Sequence, residues 1–410
     1  MTTQVLTYKY QLRPTPRQYR ALEAILEQQR QLYNAALAER IDAYQKAGIT
    51  ISEAQQSKSL TQIRRDDPAY AMVQRRIQRE TLRRLDRAYK AFFRRVKQGA
   101  EAPGFPRFKG RDYFDSIGFD AFQQISFDGK RLRFAGSAGG IRINKDRPLP
   151  GAIRGIWFKR EGRRWYAGFQ VEIEVKPQRM AGRDIGVDWG TSYLAVLSTG
   201  EHIPNPRHAE RFQSQYAAAQ RKLTRRQKGS KRRLKARAQM QRIQRKIRNR
   251  RQNTMNKLSA RLAKRYRTVI VENIDARRML ALPDETLPRD LVRRRNRELV
   301  DASPFDLRQK IEYKTVREGS KCIVVDAAHS TRECSACGAL NEISLAEMWY
   351  HCLGCGCSLP RKVNAARVIK QRGLAYGDGP VPGGAKLDTG PVCLENTGGS
   401  RKAGFRAASQ

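Results

Sequence analysis

Thr268-Val269-Ile270-Val271-Glu272 is a β-branched apolar run closed by an acid, and its form occurs three times in the chain. Asp184-Ile185-Gly186-Val187-Asp188 precedes it and Cys322-Ile323-Val324-Val325-Asp326 follows it. Short apolar runs without polar alternation read as strands buried on both faces. Long helical patterns separate them, which predicts an α/β sheet, with Tyr193 to Leu197 returning beside the first strand. Carboxylates at the ends of neighbouring strands converge on one sheet edge, so Asp188 and Glu272 form a candidate catalytic pair. Gly186 and Gly190 flank Asp188 and allow close backbone approach. Two acids that close repel unless a cation neutralises them. Mg²⁺ suits hard oxygen ligands and phosphate, and two-metal phosphodiester cleavage is the chemistry such a cluster supports. The competing account is that Asp188 and Glu272 are ordinary strand-end acids.

Downstream, Cys334-Ser335-Ala336-Cys337 and Cys352-Leu353-Gly354-Cys355 are two close pairs with fourteen residues between them. Two tight turns at that spacing present four thiolates to one tetrahedral Zn²⁺. No ligand position is left open for water, so Cys334, Cys337, Cys352 and Cys355 predict a structural zinc and not a catalytic one. Cys322, Cys357 and Cys393 remain, an odd number, which argues against a disulfide scaffold and fits a reducing cytoplasm.

Upstream, Val5 to Leu12 alternates like a strand, and Thr15-Pro16 opens a helix carrying Leu22, Ile25, Leu32 and Leu37 on one side. A second basic helix is expected from Ala71 to Val96. Pro103 to Lys109 reads as a loop in which aromatic and basic residues interleave. From Ile117 to Val175 short strands predict a small β-barrel or curled sheet, with the helices of 17–97 inserted after its first strand. Glu161-Gly162-Arg163-Arg164 makes a hairpin turn. Phe105, Phe108, Trp165 and Tyr166 are expected mainly as core, with base stacking the minority reading. Residues 208–265 read as one long helical stretch, and residues 376–410 are Gly-, Pro- and Ser-rich, with little to bury.

Lys and Arg number 82 against 39 Asp and Glu, a formal net charge of +43. Such an excess opposes compaction unless a polyanion neutralises it, and nucleic acid is the natural candidate. Within 221–251, sixteen of 31 residues are Lys or Arg. Arg225, Arg226, Lys228, Lys231, Arg232 and Arg233 there, with Arg107 and Lys109 in the aromatic loop, are the expected phosphate contacts. No apolar stretch reaches the ~18–20 residues that cross a bilayer, and no signal peptide is evident, so no membrane partner is expected.

Gly186-Val187-Asp188-Trp189-Gly190, Val271-Glu272-Asn273-Ile274, the four cysteines and Asn364-Ala365-Ala366 occur in that order. In this the chain resembles TnpB, the transposon-encoded RNA-guided nucleases related to type V CRISPR effectors. Tyr8 to Pro16, Leu32-Tyr33-Asn34 and Gly104 to Phe108 are similar to it as well. The resemblance spans roughly residues 5–372. It implies an RNase H-like RuvC domain (181–328 and 358–374) holding a zinc ribbon (329–357). It also implies a wedge β-barrel (1–16 and 98–180) with an inserted helical recognition domain (17–97), and a loose tail (375–410). The implied partners are a guide RNA drawn from the transposon end and double-stranded DNA beside a short target-adjacent motif, in a prokaryotic cytoplasm at the nucleoid. Whether one subunit or a homodimer holds one RNA is left open. Base pairing would carry specificity while the protein holds backbone and shape, as in related RNA-guided systems.

One departure matters. The family's third catalytic acid stands two residues before the Asn-Ala-Ala run, in the pattern Asp-Arg-Asp-x-Asn-Ala-Ala; here the two acidic positions are Pro360 and Lys362. A lysine puts positive charge where a second Mg²⁺ should bind. Either cleavage is lost or weakened and the chain occupies DNA, for example as a repressor, or the third carboxylate has moved. Asp326 is the first candidate for a moved acid, ahead of Asp378 and Asp388. A different class of reading is a guide-free zinc-ribbon protein that binds nucleic acid.

Overall fold

The computed structural model describes residues 3–119, 122, 125–273, 280, 288–326, 328–344 and 347–375. The chain divides into two compact units, one essentially 3–173 and the other beginning at Glu174. The expected tail of 376–410, with Cys393, Asp378 and Asp388, lies outside the described residues.

In the first unit, β1 (Thr3–Arg13) leads into α1 (Pro16–Ala47), α2 (Glu53–Asp66), α3 (Pro68–Ala71) and α4 (Arg75–Lys97). Thr15 and Gln18 form a reciprocal capping box and Pro16 opens the first turn, which satisfies donors that a helix start leaves orphaned. Gly48 ends α1 at φ 66°, a left-handed conformation that glycine adopts without a Cβ clash. Leu22, Ile25, Leu32 and Leu37 are all buried on its inner side.

The chain then returns through β2 (Ser116–Gly118), β3 (Ser126–Phe127), β4 (Arg131–Arg133), β5 (Ile141–Asn144), β6 (Ala152–Glu161) and β7 (Arg164–Glu174). These form one sheet in the order β2-β6-β7-β1-β5-β4-β3. The first strand therefore sits in the middle, and all four helices leave and re-enter between β1 and the rest. Tyr10, Phe158, Trp165 and Phe169 are the large buried side chains, and Tyr10 meets Phe169 edge to face at 5.7 Å. Of the two expected forms, a small barrel or a curled sheet, the described strands make the open sheet: β2 and β3 remain edges.

The second unit runs β8 (Asp184–Trp189), β9 (Tyr193–Leu197), β10 (His202–Pro204), α5 (Gln213–Thr224), α6 (Lys231–Arg265), β11 (Thr268–Glu272), α7 (Arg289–Ala302), α8 (Pro304–Glu318), β12 (Lys321–Val325), β13 (Trp349–His351), β14 (Ser358–Pro360) and α9 (Arg361–Ala375). The helical stretch expected over 208–265 is carried by two helices. The chain breaks between Thr224 and Lys231, where Gly229 takes φ 86° and Ser230 caps α6 by accepting from the Arg233 amide.

The main sheet is ordered β10-β9-β8-β11-β12, with β8, β11 and β12 pairing in parallel and β9 antiparallel to both its neighbours, β8 and β10. Strand alternation sends successive side chains to opposite faces. Ile185, Val187, Val269 and Val271 pack on Leu258 and Leu262 of α6 and Leu307 and Ile311 of α8. Ile270, Ile323 and Val325 pack on Ile369 of α9. The sheet is thus covered on both faces, which is why its strands read as continuous apolar runs. Gly186 sets how closely α9 approaches: a Cβ there would lie 2.0 Å from the Ala366 carbonyl oxygen.

Candidate active site and metal centre

Asp188 and Glu272 end neighbouring strands. β8 and β11 pair in parallel register through Val187 and Val271, so the next residues, Asp188 and Glu272, stand side by side. Both belong to the parity that faces α9. They are 5% and 8% exposed, and the Trp189 amide donates to Glu272 Oε1 at 3.3 Å. Burial raises the pKa of both acids. For Glu272 the neighbouring Asp188 charge adds to burial, and together they push it up to about 8. For Asp188 the main opposing influence is Lys362.

Lys362 is the second residue of α9, and its Nζ lies 3.2 Å from Asp188 Oδ2 and 3.3 Å from the Trp189 carbonyl oxygen. Room for it is made by Gly190, where a Cβ would stand 2.5 Å from the ammonium. A lysine in the first turn opposes the helix dipole, which favours anions at that end. Its place is set by the buried carboxylate instead. The donor set tests poorly against two divalent ions. Two carboxylates supply hard oxygens, but the third side chain brings a cation into contact with one of them.

Asp326 is not brought to this pair. It follows β12, on the parity of Cys322 and Val324, whose side chains pack on the α6 and α8 side. It is exposed, and its Oδ1 accepts from the Ala328 amide.

The four cysteines do converge. Their Sγ atoms all lie within 4.8 Å of one another, with Cys334 to Cys355 at 3.7 Å and Cys337 to Cys352 at 3.6 Å. A tetrahedron with Zn–S bonds near 2.3 Å has edges of about 3.8 Å, so the spacing fits one such ion. The backbone of Cys355 lowers Cys352 to about 6 and Cys334 is lowered as well, whereas hydrogen bonding to Cys337 and the other crowded sulfurs, with burial, pushes Cys355 up to about 12, so thiolate is favoured on only part of the cluster. Asn364 ties the cluster to the sheet domain. Its Oδ1 accepts from the Ser335 amide at 2.9 Å and its Nδ2 donates to the Glu333 carbonyl at 2.6 Å.

The basic residues divide. Arg225, Arg226, Lys228, Lys231 and Arg232 are exposed around the α5–α6 turn. Arg233 is turned inward instead: its guanidinium donates to the carbonyls of Leu223 and Arg226, at 2.9 and 2.6 Å, and ends α5. Arg107 is exposed, whereas the Lys109 ammonium sits 5.8 Å from the Tyr33 ring centroid. Trp165 is fully buried and Tyr166 half-buried, but Phe105 and Phe108 are 46% and 58% exposed. The expectation of core packing fails for those two because prolines and pinned carbonyls hold their loop outside the apolar layers.

Sequence reasoning missed Lys310 and Lys314. Each is 5% exposed, and both donate to Asn256 Oδ1, at 3.0 and 3.3 Å. Their helical spacing of four was the available signal. Among the described residues no helix is long and apolar enough to cross a membrane.

Comparison with known proteins identifies the family. A family profile described as probable transposase (OrfB, IS605) matches residues 168–282, a Cas12f1-like TNB domain matches 305–369, and a helix-turn-helix domain matches 1–48. In this structure 1–48 holds β1 and one long helix. A Streptomyces pristinaespiralis protein provisionally named an RNA-guided DNA endonuclease is 30% identical over 92% of both chains. InsQ of Escherichia coli K12, with the same provisional name, is 26% identical over 90% of this chain and 92% of its own. A chain in the cryo-EM structure of a Cas12f1–sgRNA–target DNA complex shares the fold, with a TM-score of 0.52 at 14% identity, covering 85% of this chain and 82% of that one. At that identity and coverage over nearly its whole length, the chain belongs to the TnpB (OrfB) family.

Proposed function

We propose that the chain is an RNA-guided DNA-binding protein in which metal-dependent cleavage has been lost or strongly weakened. The observation that carries this is the Lys362 ammonium, 3.2 Å from Oδ2 of Asp188, one of the two buried acids. A tethered cation supplies the neutralisation the pair needs, and it also repels a divalent ion from that spot. The sheet of the second unit is read as the RNase H-like domain, with residues 329–357 as a ribbon held by one structural Zn²⁺. The first unit is read as the wedge sheet with an inserted helical recognition domain. The net charge of +43 suits a protein wrapped around RNA and DNA, as the names of its relatives suggest.

The test is to purify the chain from its own cells and sequence bound RNA, then assemble it with that RNA on plasmid carrying a matched target, in Mg²⁺. The expected result is one discrete RNA with a variable end, and plasmid that is retarded in a gel but uncut. Lys362→Asp should gain a rise in Tm on adding Mg²⁺ that the parent lacks, because an ion that binds only the folded form stabilises it. Linear product abolished by Asp188→Ala would show that cleavage survives. If Asp326→Ala abolished it as well, a moved third acid would be the better account. Random bound RNA would favour the guide-free reading.

A further inference from the structure

The first unit holds an aromatic cluster on its surface that packing does not explain. Tyr89, Phe92 and Phe93 of α4 meet Phe105 of the following loop. Phe105 stands edge-on to Tyr89 at 5.5 Å and to Phe92 at 5.2 Å, and Phe93 lies 5.1 Å from Phe92 and 6.2 Å from Tyr89. Phe93 is nevertheless 59% exposed, and Phe105 and Phe108 are exposed as well. Leaving large rings in water forgoes the stabilisation that burial would bring.

The loop is held out deliberately. At one end the Arg95 guanidinium donates to the carbonyls of Pro103 and Gly104. At the other, Asn34 closes a two-way clamp on Lys109, accepting from its amide at 2.8 Å and donating to its carbonyl at 3.1 Å, while Arg30 donates to the same carbonyl at 3.0 Å. From below, the buried Arg40 places its guanidinium 5.1 Å from the Tyr89 ring. Rings fixed in this way have little entropy left to lose when something stacks on them.

The charge around them selects the occupant. Residues 86–109 contain seven Lys and Arg against Asp86 and Glu101. Lys90 pairs with Asp86 at 2.9 Å and Arg87 with Glu80, while Arg94, Lys97 and Arg107 are exposed beside the rings. A second copy of the same face would meet like charge, which disfavours self-association. Phosphates with accessible base faces match both the cations and the rings.

We propose that Phe93, Phe105 and Phe108 form a stacking platform for unpaired bases of a bound nucleic acid strand, with Arg94 and Arg107 holding its phosphates. This adds to the function proposed above a place where base faces, and not only backbone, touch protein. It rests on that reading only for nucleic-acid binding.

The test uses the full chain and a short fluorescein-labelled oligodeoxythymidine, with anisotropy read over a salt series. Phe93→Ala with Phe108→Ala should weaken binding by about tenfold or more at every salt concentration, with the salt slope unchanged. Arg94→Gln with Arg107→Gln should make the slope shallower by about 1. Both ring positions are exposed, so an unchanged Tm verifies that the fold is kept. Irradiating the same oligonucleotide carrying 5-iododeoxyuridine should give adducts on Phe93, Phe105 or Phe108 by mass spectrometry. Parental affinity in the double Phe variant, with adducts elsewhere, would overturn the proposal. So would a sedimenting dimer that Phe93→Ala converts to monomer. A chain that carries no guide RNA yet cross-links through these rings would keep this inference and refute the guided reading. The reverse pattern would do the opposite.

Discussion

Lys362 shows how one side chain meets a buried acid at the edge of the sheet. Asp188 is 5% exposed, and the Lys362 side chain keeps 23% of its surface. The ion pair therefore stands between the surface and buried limits, and removing one partner costs more than making the pair gains. Lys362→Met should lower stability by about 2 kcal/mol, with part of the full cost avoided because Asp188 can take up a proton. The sign with pH follows from that proton. Burial already holds Asp188 above its unfolded pKa, and loss of the ammonium raises it further. The variant then binds a proton that the parent does not, over a window starting at the parent's Asp188 pKa. Its deficit should therefore grow as pH rises, read as the Tm difference between the two proteins across a pH series.

At the scale of elements, α9 joins three parts. Its Ala366 backbone rests on Gly186, its Asn364 holds the cysteine cluster, and its first turn delivers Lys362 to the acids. The Asn-Ala-Ala run thus has a packing role of its own, independent of what precedes it. The α6–α8 pair is locked differently. Lys314 Nζ donates to the Asn256 carbonyl and to Ser259 Oγ, each at 2.8 Å, and burial with the nearby Lys310 lowers its pKa to about 7. Between about 7 and the unfolded value near 10.4, the unfolded chain binds the proton that the folded one has released. Stability should therefore rise with pH across that window and stay unaffected by this group below it. Lys314→Met should remove the rise, seen as a flatter Tm profile from pH 7 to 10 relative to the parent. A parallel profile would mean that Lys314 stays charged in the fold.

Over the whole molecule, the excess of positive charge is what a polyanion partner would neutralise. With a net +43, the affinity for a polyanion should fall steeply with salt, since each phosphate neutralised releases counterions. Arg225→Gln with Arg226→Gln should reduce the slope of log K against log salt on duplex DNA by about 1 to 2, with a uniform loss across DNA sequences. Arg233→Gln should leave the slope unchanged and lower Tm instead, because its guanidinium is spent on the end of α5. Titrations in a series of salt concentrations distinguish these outcomes.

The three apolar runs ending in Asp188, Glu272 and Asp326 specified the sheet and its two covered faces, since a strand buried on both sides needs no polar alternation. The cysteine spacing specified the cluster, and residue counting alone gave the net charge of +43 from which a polyanion partner is proposed. These are properties of neighbours along the chain. Which acids meet is not, because it depends on strand register and on which face each side chain takes. That is why Asp188 and Glu272 come together against Lys362 while Asp326, one residue out of phase with Val325, turns away. Exposure of Phe105 and Phe108, and the inward turn of Arg233, were equally hidden. They are fixed by hydrogen bonds from residues distant in sequence or across a helix break, and no local pattern encodes those.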